Sequence, residues 1–294
     1  MIDNPGRRDL LLAGSSVVLA AGTLAPLHAA AQTAAGPATG PTPARELRIL
    51  LLNPNSSPDF TRIIAAEARR VGSPGTEFVE VTSPFGPRYI GSRATVAIAG
   101  HAAVDGLVRV LAKDERFDAA ILAGFGAQGV PAMREIAPFP VVDMLTASTS
   151  AAILLGNRFS VLTGGDRWVP MLKEQLAALG LGDRVASVRA IPLTGAEITK
   201  DPERALALLA DLSETCVRED GAECVILGGA AVAGLHRRIA DRVSVPLLDS
   251  VATSVATAEL LARVATTPTA SRTRPPAIDS VGLSEELTVL LKQP

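Results

Sequence analysis

Along the chain, two patterns of hydrophobic and polar positions take turns. Short, predominantly apolar runs bounded by turn residues occur at Leu47–Leu52, Phe78–Val81, Ala119–Ala123, Phe159–Leu162, Val185–Ile191 and Cys224–Leu227. A strand with one wet face alternates apolar and polar residues, whereas these runs read as strands of a parallel sheet covered on both faces. Between them, Phe60–Val71, Ala94–Leu111, Trp168–Leu179 and Pro202–Arg218 carry apolar residues at helical spacing. Asp59, Asp166 and Asp201 stand where caps or first-turn acids belong. Strand–helix alternation of this length predicts an α/β fold, with ligands bound at the carboxyl ends of the strands.

The pattern repeats. Ala120-Ile121-Leu122-Ala123-Gly124 matches Val225-Ile226-Leu227-Gly228-Gly229, and Pro140-Val141-Val142-Asp143 matches Pro246-Leu247-Leu248-Asp249. Each pair is followed by a small-residue helix, Thr146–Leu155 and Ala252–Leu261. Leu50-Leu51-Leu52-Asn53 pairs in the same way with Ser160-Val161-Leu162-Thr163. The repeat predicts two pseudo-symmetric lobes, each a short parallel sheet flanked by helices, with a ligand cleft between them. The expected boundaries are 46–145 plus 250–267 for one lobe and 146–249 for the other, with a C-terminal tail at 268–294.

The first residues read differently. Arg7-Arg8 precede an apolar run from Leu10 to Leu27 that is broken by Gly14, Gly22 and Pro26, and Ala29-Ala30-Ala31 follows. This anatomy predicts a twin-arginine signal peptide over 1–31, cleaved after Ala31, and a Pro/Gly linker over 32–45. The expected destination is the periplasm or the exterior, with no stable membrane insertion after cleavage. Elsewhere composition acts mainly by exclusion. With 28 Lys+Arg against 30 Asp+Glu the net charge is -2, so no basic surface gathers nucleic acid. Outside the leader the soft ligands are His101, His236, Cys216 and Cys224, with no zinc-site spacing, and no metal is expected.

Several ordered motifs together make the chain resemble the aspartate/glutamate/hydantoin racemase superfamily, its hydantoin racemase branch in particular, over roughly Leu47 to Thr267. They are Asn53-Pro54-Asn55-Ser56-Ser57, Pro84-Phe85-Gly86-Pro87-Arg88-Tyr89-Ile90, Ala123-Gly124-Phe125-Gly126, Arg158-Phe159-Ser160-Val161-Leu162-Thr163, Leu227-Gly228-Gly229-Ala230 and Pro246-Leu247-Leu248-Asp249. The resemblance implies a cofactor-free enzyme in which two cysteines, one per lobe, move a proton on opposite faces of the substrate's α-carbon. It also implies self-association. The positions that match those cysteines are Gly124 and Gly229. Cys224 lies five residues before Gly229, roughly 16 Å along a strand. Cys216 falls in the preceding helix, and both cysteines are expected to be buried or bridged to each other.

The binding apparatus is expected to survive. Asn55, Ser56 and Ser57 open a helix, and Thr163 and Gly164 do so in the other half. Gly124, Phe125, Gly126, Gly228, Gly229 and Ala230 let backbone N–H groups approach a small anionic or imide ligand. Replacement acids or bases are sought at Asp143, Asp249 and Tyr89; the two aspartates are equally fit for helix capping. His101 is expected to be structural and His236 to lie on the surface. Gly124-x-Gly126-x-x-Gly129 imitates a dinucleotide fingerprint, but Pro131 and Pro138 leave too little helix behind it. The function expected is that of an exported, cofactor-independent, isomerase-like or lyase-like enzyme. Its substrate is a small carboxylate, hydantoin or ureide, handled without a cysteine pair; the alternative is a periplasmic small-anion binding protein or degenerate homologue.

Overall fold

Ile49 and Leu51 of the first strand point to one side of their sheet and Leu50 and Leu52 to the other, and all four are buried. That two-sided burial is why the run is apolar without alternation. The computed structural model describes residues 45–113, 115–265 and 277–292. The expected signal peptide, and the linker up to residue 44, lie outside the described residues.

The first lobe runs β1 (Leu47–Asn53), α1 (Pro58–Val71), β2 (Thr76–Thr82), α2 (Arg93–Leu111), β3 (Ala119–Leu122), α3 (Val130–Ile136) and β4 (Val141–Asp143). The second begins with α4 (Met144–Leu155) and continues through β5 (Phe159–Gly164), α5 (Trp168–Ala178), β6 (Val185–Ile191), α6 (Gly195–Lys200), α7 (Pro202–Asp220), β7 (Cys224–Gly228) and β8 (Leu247–Asp249). Then come α8 (Ser250–Val264) and, in the tail, α9 (Glu285–Lys292). The strands form two parallel sheets of equivalent order, β2-β1-β3-β4 and β6-β5-β7-β8. Leu122 pairs with Asp143 in one sheet and Leu227 with Asp249 in the other, so the sequence repeat occupies equivalent strands.

The outer face of the first sheet packs on α2 and α3 through Leu107, Val130 and Met133. The outer face of the second packs on α6 and α7 through Ile198, Leu206 and Leu209. The inner faces share one core, in which Ile121, Phe159, Val161 and Ile226 meet residues of α4, α5 and α8. Helix α8 follows the second sheet in sequence but packs on β1, β3 and β4, while α4 leaves the first sheet and packs on β7. The two helices lie against each other, with a 2.8 Å hydrogen bond between the hydroxyls of Ser148 and Thr253. The tail helix α9 packs on α2, burying Leu287; Ser284, which precedes it, bonds Asp105.

Both cysteines are buried and free, which corrects the expectation that they could be bridged. Cys224 faces the inner core and bonds Ala152 O at 3.7 Å, whereas Cys216 belongs to the outer cluster and accepts from Ser187. They sit on opposite faces of one sheet. Burial pushes the Cys216 thiol up and the Cys224 thiol to about 11, so both stay protonated at neutral pH.

Candidate functional site

From β1 the chain moves outward to β2 and then returns past β1 to β3; it does the same around β5 and β7. At such switch points the strand-end loops diverge and leave a crevice. Here both crevices open into one cavity of about 80 Å³, roughly the room of a handful of water molecules or a small ring. Its wall is made by Pro54 and Asn55 after β1, Ala123–Phe125 after β3, Thr163 and Gly164 ending β5, and Gly228–Val232 from β7 onward. Phe60, Tyr89, Ile90, Gln128, Trp168, Gly195 and Ile198 complete it.

Two glycines at this wall or directly beside it are packing requirements. A Cβ on Gly228 would lie 2.2 Å from the Phe125 ring, and one on Gly126 would lie 2.7 Å from the Trp168 ring. Each aromatic ring thus reaches from one lobe onto the backbone of the other. The Trp168 indole also donates to Ile90 O at 3.1 Å.

The expected ligand residues divide. Asn55, Gly124, Phe125, Thr163, Gly164, Gly228, Gly229 and Ala230 line the cavity. Ser56, Ser57 and Gly126 do not: Ser56 Oγ donates to Gly86 O, Ser57 is the cap residue of α1, and Gly126 lies under Trp168. The N–H groups expected to hold an anion at this helix start are already occupied. Asn55 N donates to Asn53 Oδ1, Ser56 N to Pro87 O and Ser57 N to Asn55 Oδ1. Gly229 N likewise donates to Ser250 Oγ. The N–H groups of Gly124 and Ala230 have no partner among the described residues.

Of the three expected acid–base residues, Tyr89 alone lines the cavity. Its ring lies against Gly195, where a Cβ would come within 3.3 Å of it. Burial raises the phenol above its usual range, so Tyr89 is protonated at neutral pH and can serve as a donor. Asp143 and Asp249 are corrected from candidate acids to structural caps. Asp143 accepts from Thr146 N at the start of α4 and pairs with Arg134 at 3.0 Å. Asp249 accepts from Val251 N and Ala252 N at the start of α8 and from Gly234 N at 2.6 Å. A carboxylate with all these donors is an anchor, not a proton shuttle.

His236 is not on the surface as expected. Its side chain is 18% exposed, and its Nδ1 lies 3.4 Å from Asp249 Oδ2. With Glu67 these residues could converge on a cation, yet Glu67 already binds the guanidinium groups of Arg70 and Arg237, which supply its countercharge. The cluster reads as a latch beneath the loop that carries Gly229–Val232.

One residue of the wall escaped sequence reading. Gln128 is 2% exposed, and its buried Oε1 has no hydrogen-bond partner. A Cβ on Gly124 would lie 2.4 Å from that oxygen and 2.6 Å from Pro54 Cγ. The Gln128 carboxamide therefore occupies the room of a side chain at Gly124. Its neighbour Ala127, with φ of 51°, is the one non-glycine in the left-handed region among the described residues, a cost of about 1–2 kcal/mol that the loop sustains. A lone polar residue in the run Gly124–Val130 was the available signal, and it is a weak one.

Two parallel sheets related by pseudo-symmetry, with a small, mostly apolar cavity at their shared switch points, define a two-lobed α/β protein with room for a small molecule between its sheets. The Asp/Glu/Hydantoin racemase family model matches residues 49–258, and the chain belongs to that family. It is 30% identical to the hydantoin racemase of Pseudomonas sp. (strain NS671) over 217 residues, which is 73% of this chain and 86% of the relative. Among solved structures it is similar to allantoin racemase from Pseudomonas fluorescens, with a TM-score of 0.72, 37% identity, and coverage of 78% of this chain and 99% of that one. Allantoin racemase from Klebsiella pneumoniae gives a TM-score of 0.74 at 25% identity, covering 83% and 99%.

Proposed function

We propose that this chain is an exported racemase-family protein that takes a small, uncharged cyclic ureide or imide and acts on it from one face, with Tyr89 as proton donor and without a cofactor or thiol pair. The observation that carries the reading is the polar inventory of the cavity. No Asp, Glu, Lys, Arg, His or Cys stands among the described lining residues, while Asn55, Gln128, Thr163 and Tyr89 supply neutral donors and acceptors. Such a wall suits a ligand with alternating N–H and C=O groups better than an amino acid or a dicarboxylate, whose charges would be left unpaired. The relatives' names point the same way, since hydantoin and allantoin are both cyclic ureides.

The chemistry follows from the same inventory. When a water on the Tyr89 side of the ring takes the proton from the ligand's α-carbon, charge builds on the adjacent carbonyl oxygen, where the N–H groups of Gly124 and Ala230 can stabilise it. The Tyr89 O–H then returns a proton to carbon, and the phenolate is reprotonated by solvent. Inversion needs proton carriers on two faces, so a single donor exchanges the proton with retention. The test is thermal shift with hydantoin, allantoin, aspartate and glutamate, followed by NMR in D₂O with a chiral 5-substituted hydantoin. The cyclic ureides are expected to stabilise the protein, and deuterium to enter at the α-carbon without loss of optical activity. Tyr89→Phe should abolish the exchange. Rapid inversion would reveal a second proton carrier and overturn the one-sided reading.

A second reading, a binding protein without turnover, is favoured by Tyr89 being the single titratable side chain among the described lining residues. Ureide binding with no exchange would establish it. Export rests on Arg7-Arg8 and the apolar run behind them. Replacing both arginines with lysine should leave the protein in the cytoplasmic fraction.

A further inference from the structure

The cavity holds a small ring and little more, so an arm carried on that ring must lie outside it. Beside the cavity runs a groove of about 600 Å³, lined among others by Ser57, Asp59, Arg88 and Lys200. The rings of Phe60 and Tyr89 border both spaces, and a Cβ on Gly195, across from them, would stand 3.3 Å from each ring. The groove meets the start of α1, a helix of 14 residues. There Ser57 N is taken by Asn55 Oδ1 and Pro58 has no N–H, but the amides of Asp59 and Phe60 donate to nothing among the described residues. Free N–H groups at a helix start carry partial positive charge and favour an anion. The side chain at the cap position is idle as well. Ser57 is 7% exposed, and its hydroxyl makes no hydrogen bond among the described residues. The buried side-chain atoms that are both sealed and unpaired there are Gln128 Oε1, Gln175 Oε1 and His236 Nδ1. The Ser57 hydroxyl, unpaired but absent from that set, therefore keeps open surface, and the space that Ser57 borders is the groove.

The charges agree with the helix. Arg88 and Lys200 make no hydrogen bond or ion pair among the described residues, whereas Asp59, the one acid among the described residues of the groove, is paired with Arg62. Two cations therefore stand uncompensated beside the helix start. Both side chains are exposed, so they act as a field and not through one fixed contact, over a Debye length of about 8 Å at physiological salt. We infer that the groove is an anion subsite, in which the start of α1, the Ser57 hydroxyl, Arg88 and Lys200 hold a carboxylate on an arm of the ligand whose uncharged ring lies in the cavity. The substrate class is then a cyclic ureide or imide with an acidic substituent. The uncharged cavity and the cationic groove sort the two ends of such a molecule and fix which way round it binds. This inference rests on the reading of the cavity as a site for a neutral ureide or imide ring.

The test is calorimetric titration of the full chain with hydantoin, hydantoin-5-acetic acid, hydantoin-5-propionic acid and the amides of the two acids, at low and high ionic strength. At low ionic strength at least one acid should bind about tenfold more tightly than its own amide, and high salt should erase most of that preference. Arg88→Gln combined with Lys200→Gln should bring the acid close to its amide while the affinity for hydantoin stays unchanged. Ser57→Ala should weaken the acid by about threefold and leave Tm unchanged, because the hydroxyl bonds nothing in the helix it precedes. Equal binding of acid and amide, or binding of hydantoin but of no substituted ring, would overturn the inference and leave the proposed function standing. An acid preference that persisted in all these variants would also overturn it, since the anion would then be held elsewhere. If the unsubstituted protein bound none of the compounds, the ureide reading and this inference would fall together, a failure visible before any substitution is made.

Discussion

A methyl group at Gly124 would meet Gln128 Oε1 at 2.4 Å and Pro54 Cγ at 2.6 Å, both far inside van der Waals contact. Gly124→Ala should therefore cost about 1–3 kcal/mol in urea denaturation. Part of that loss should return in a Gln128→Ala background, because one of the two obstacles is then gone. The same crowding decides whether a thiol pair can be placed here. Gly124→Cys with Gly229→Cys is expected to yield α-proton exchange on two faces only when Gln128 is also shortened. Gly229 presents the opposite problem: the space around its Cβ is open, but its φ of 120° is a conformation that other residues rarely adopt.

At the scale of elements, Asp143 and Asp249 show how one sequence signal serves two readings. Each ends a short buried strand and opens a helix, so each faces free N–H groups at a helix start. Asp143→Ala should lower stability by about 1–2 kcal/mol through the lost cap on α4 and the lost Arg134 contact, while ureide binding measured on the folded protein stays unchanged. A catalytic Asp143 would show the reverse, with intact stability and lost turnover. Asp249→Ala should be the more damaging, since its carboxylate also holds Gly234 N and so fixes the loop behind Gly229. A shift of that loop would weaken ureide binding, which calorimetry can separate from the stability loss.

Across the whole molecule, a few buried polar contacts tie together elements far apart in the chain. Glu67 of α1 holds Arg237 from the loop after β7, at 2.6 and 2.9 Å. Glu259 of α8 accepts from Ser73 N, Ser73 Oγ and Thr76 Oγ1 at the start of β2, which lowers its pKa despite its burial. For Glu67, burial alone would raise the carboxyl, but hydrogen bonds and charge from Arg237 and Arg70 outweigh it and bring the pKa from 4.5 to about 2. A depressed carboxylate stabilises the fold above its unfolded pKa and loses that contribution as pH falls through the folded one. The expected stability is flat above about pH 5 and declines from there toward pH 2. Glu67→Gln should flatten this decline and lower stability at pH 7 by on the order of 2–4 kcal/mol, measured by denaturation across pH.

The strands and helices were legible because both-face burial and 3.6-residue spacing write themselves into local composition. The repeat was legible too, since equivalent strands need similar residues in a similar order. Even the strand-end residues Asn55, Gly124, Thr163 and Gly229 could be named in advance, because parallel sheets place their ligands at strand ends and the family resemblance marks the two glycine positions. What only the tertiary structure decided is which polar groups were left over after the chain satisfied itself. Asn53 and Pro87 consume the amides at the start of α1, the caps consume Asp143 and Asp249, and Gln128 is left buried and unpaired beside Gly124. Hydrogen-bond supply and demand is settled between residues far apart in the chain, such as Ser56 with Pro87 or Glu67 with Arg237. No local pattern carries that account; it is balanced only when the two lobes close on each other.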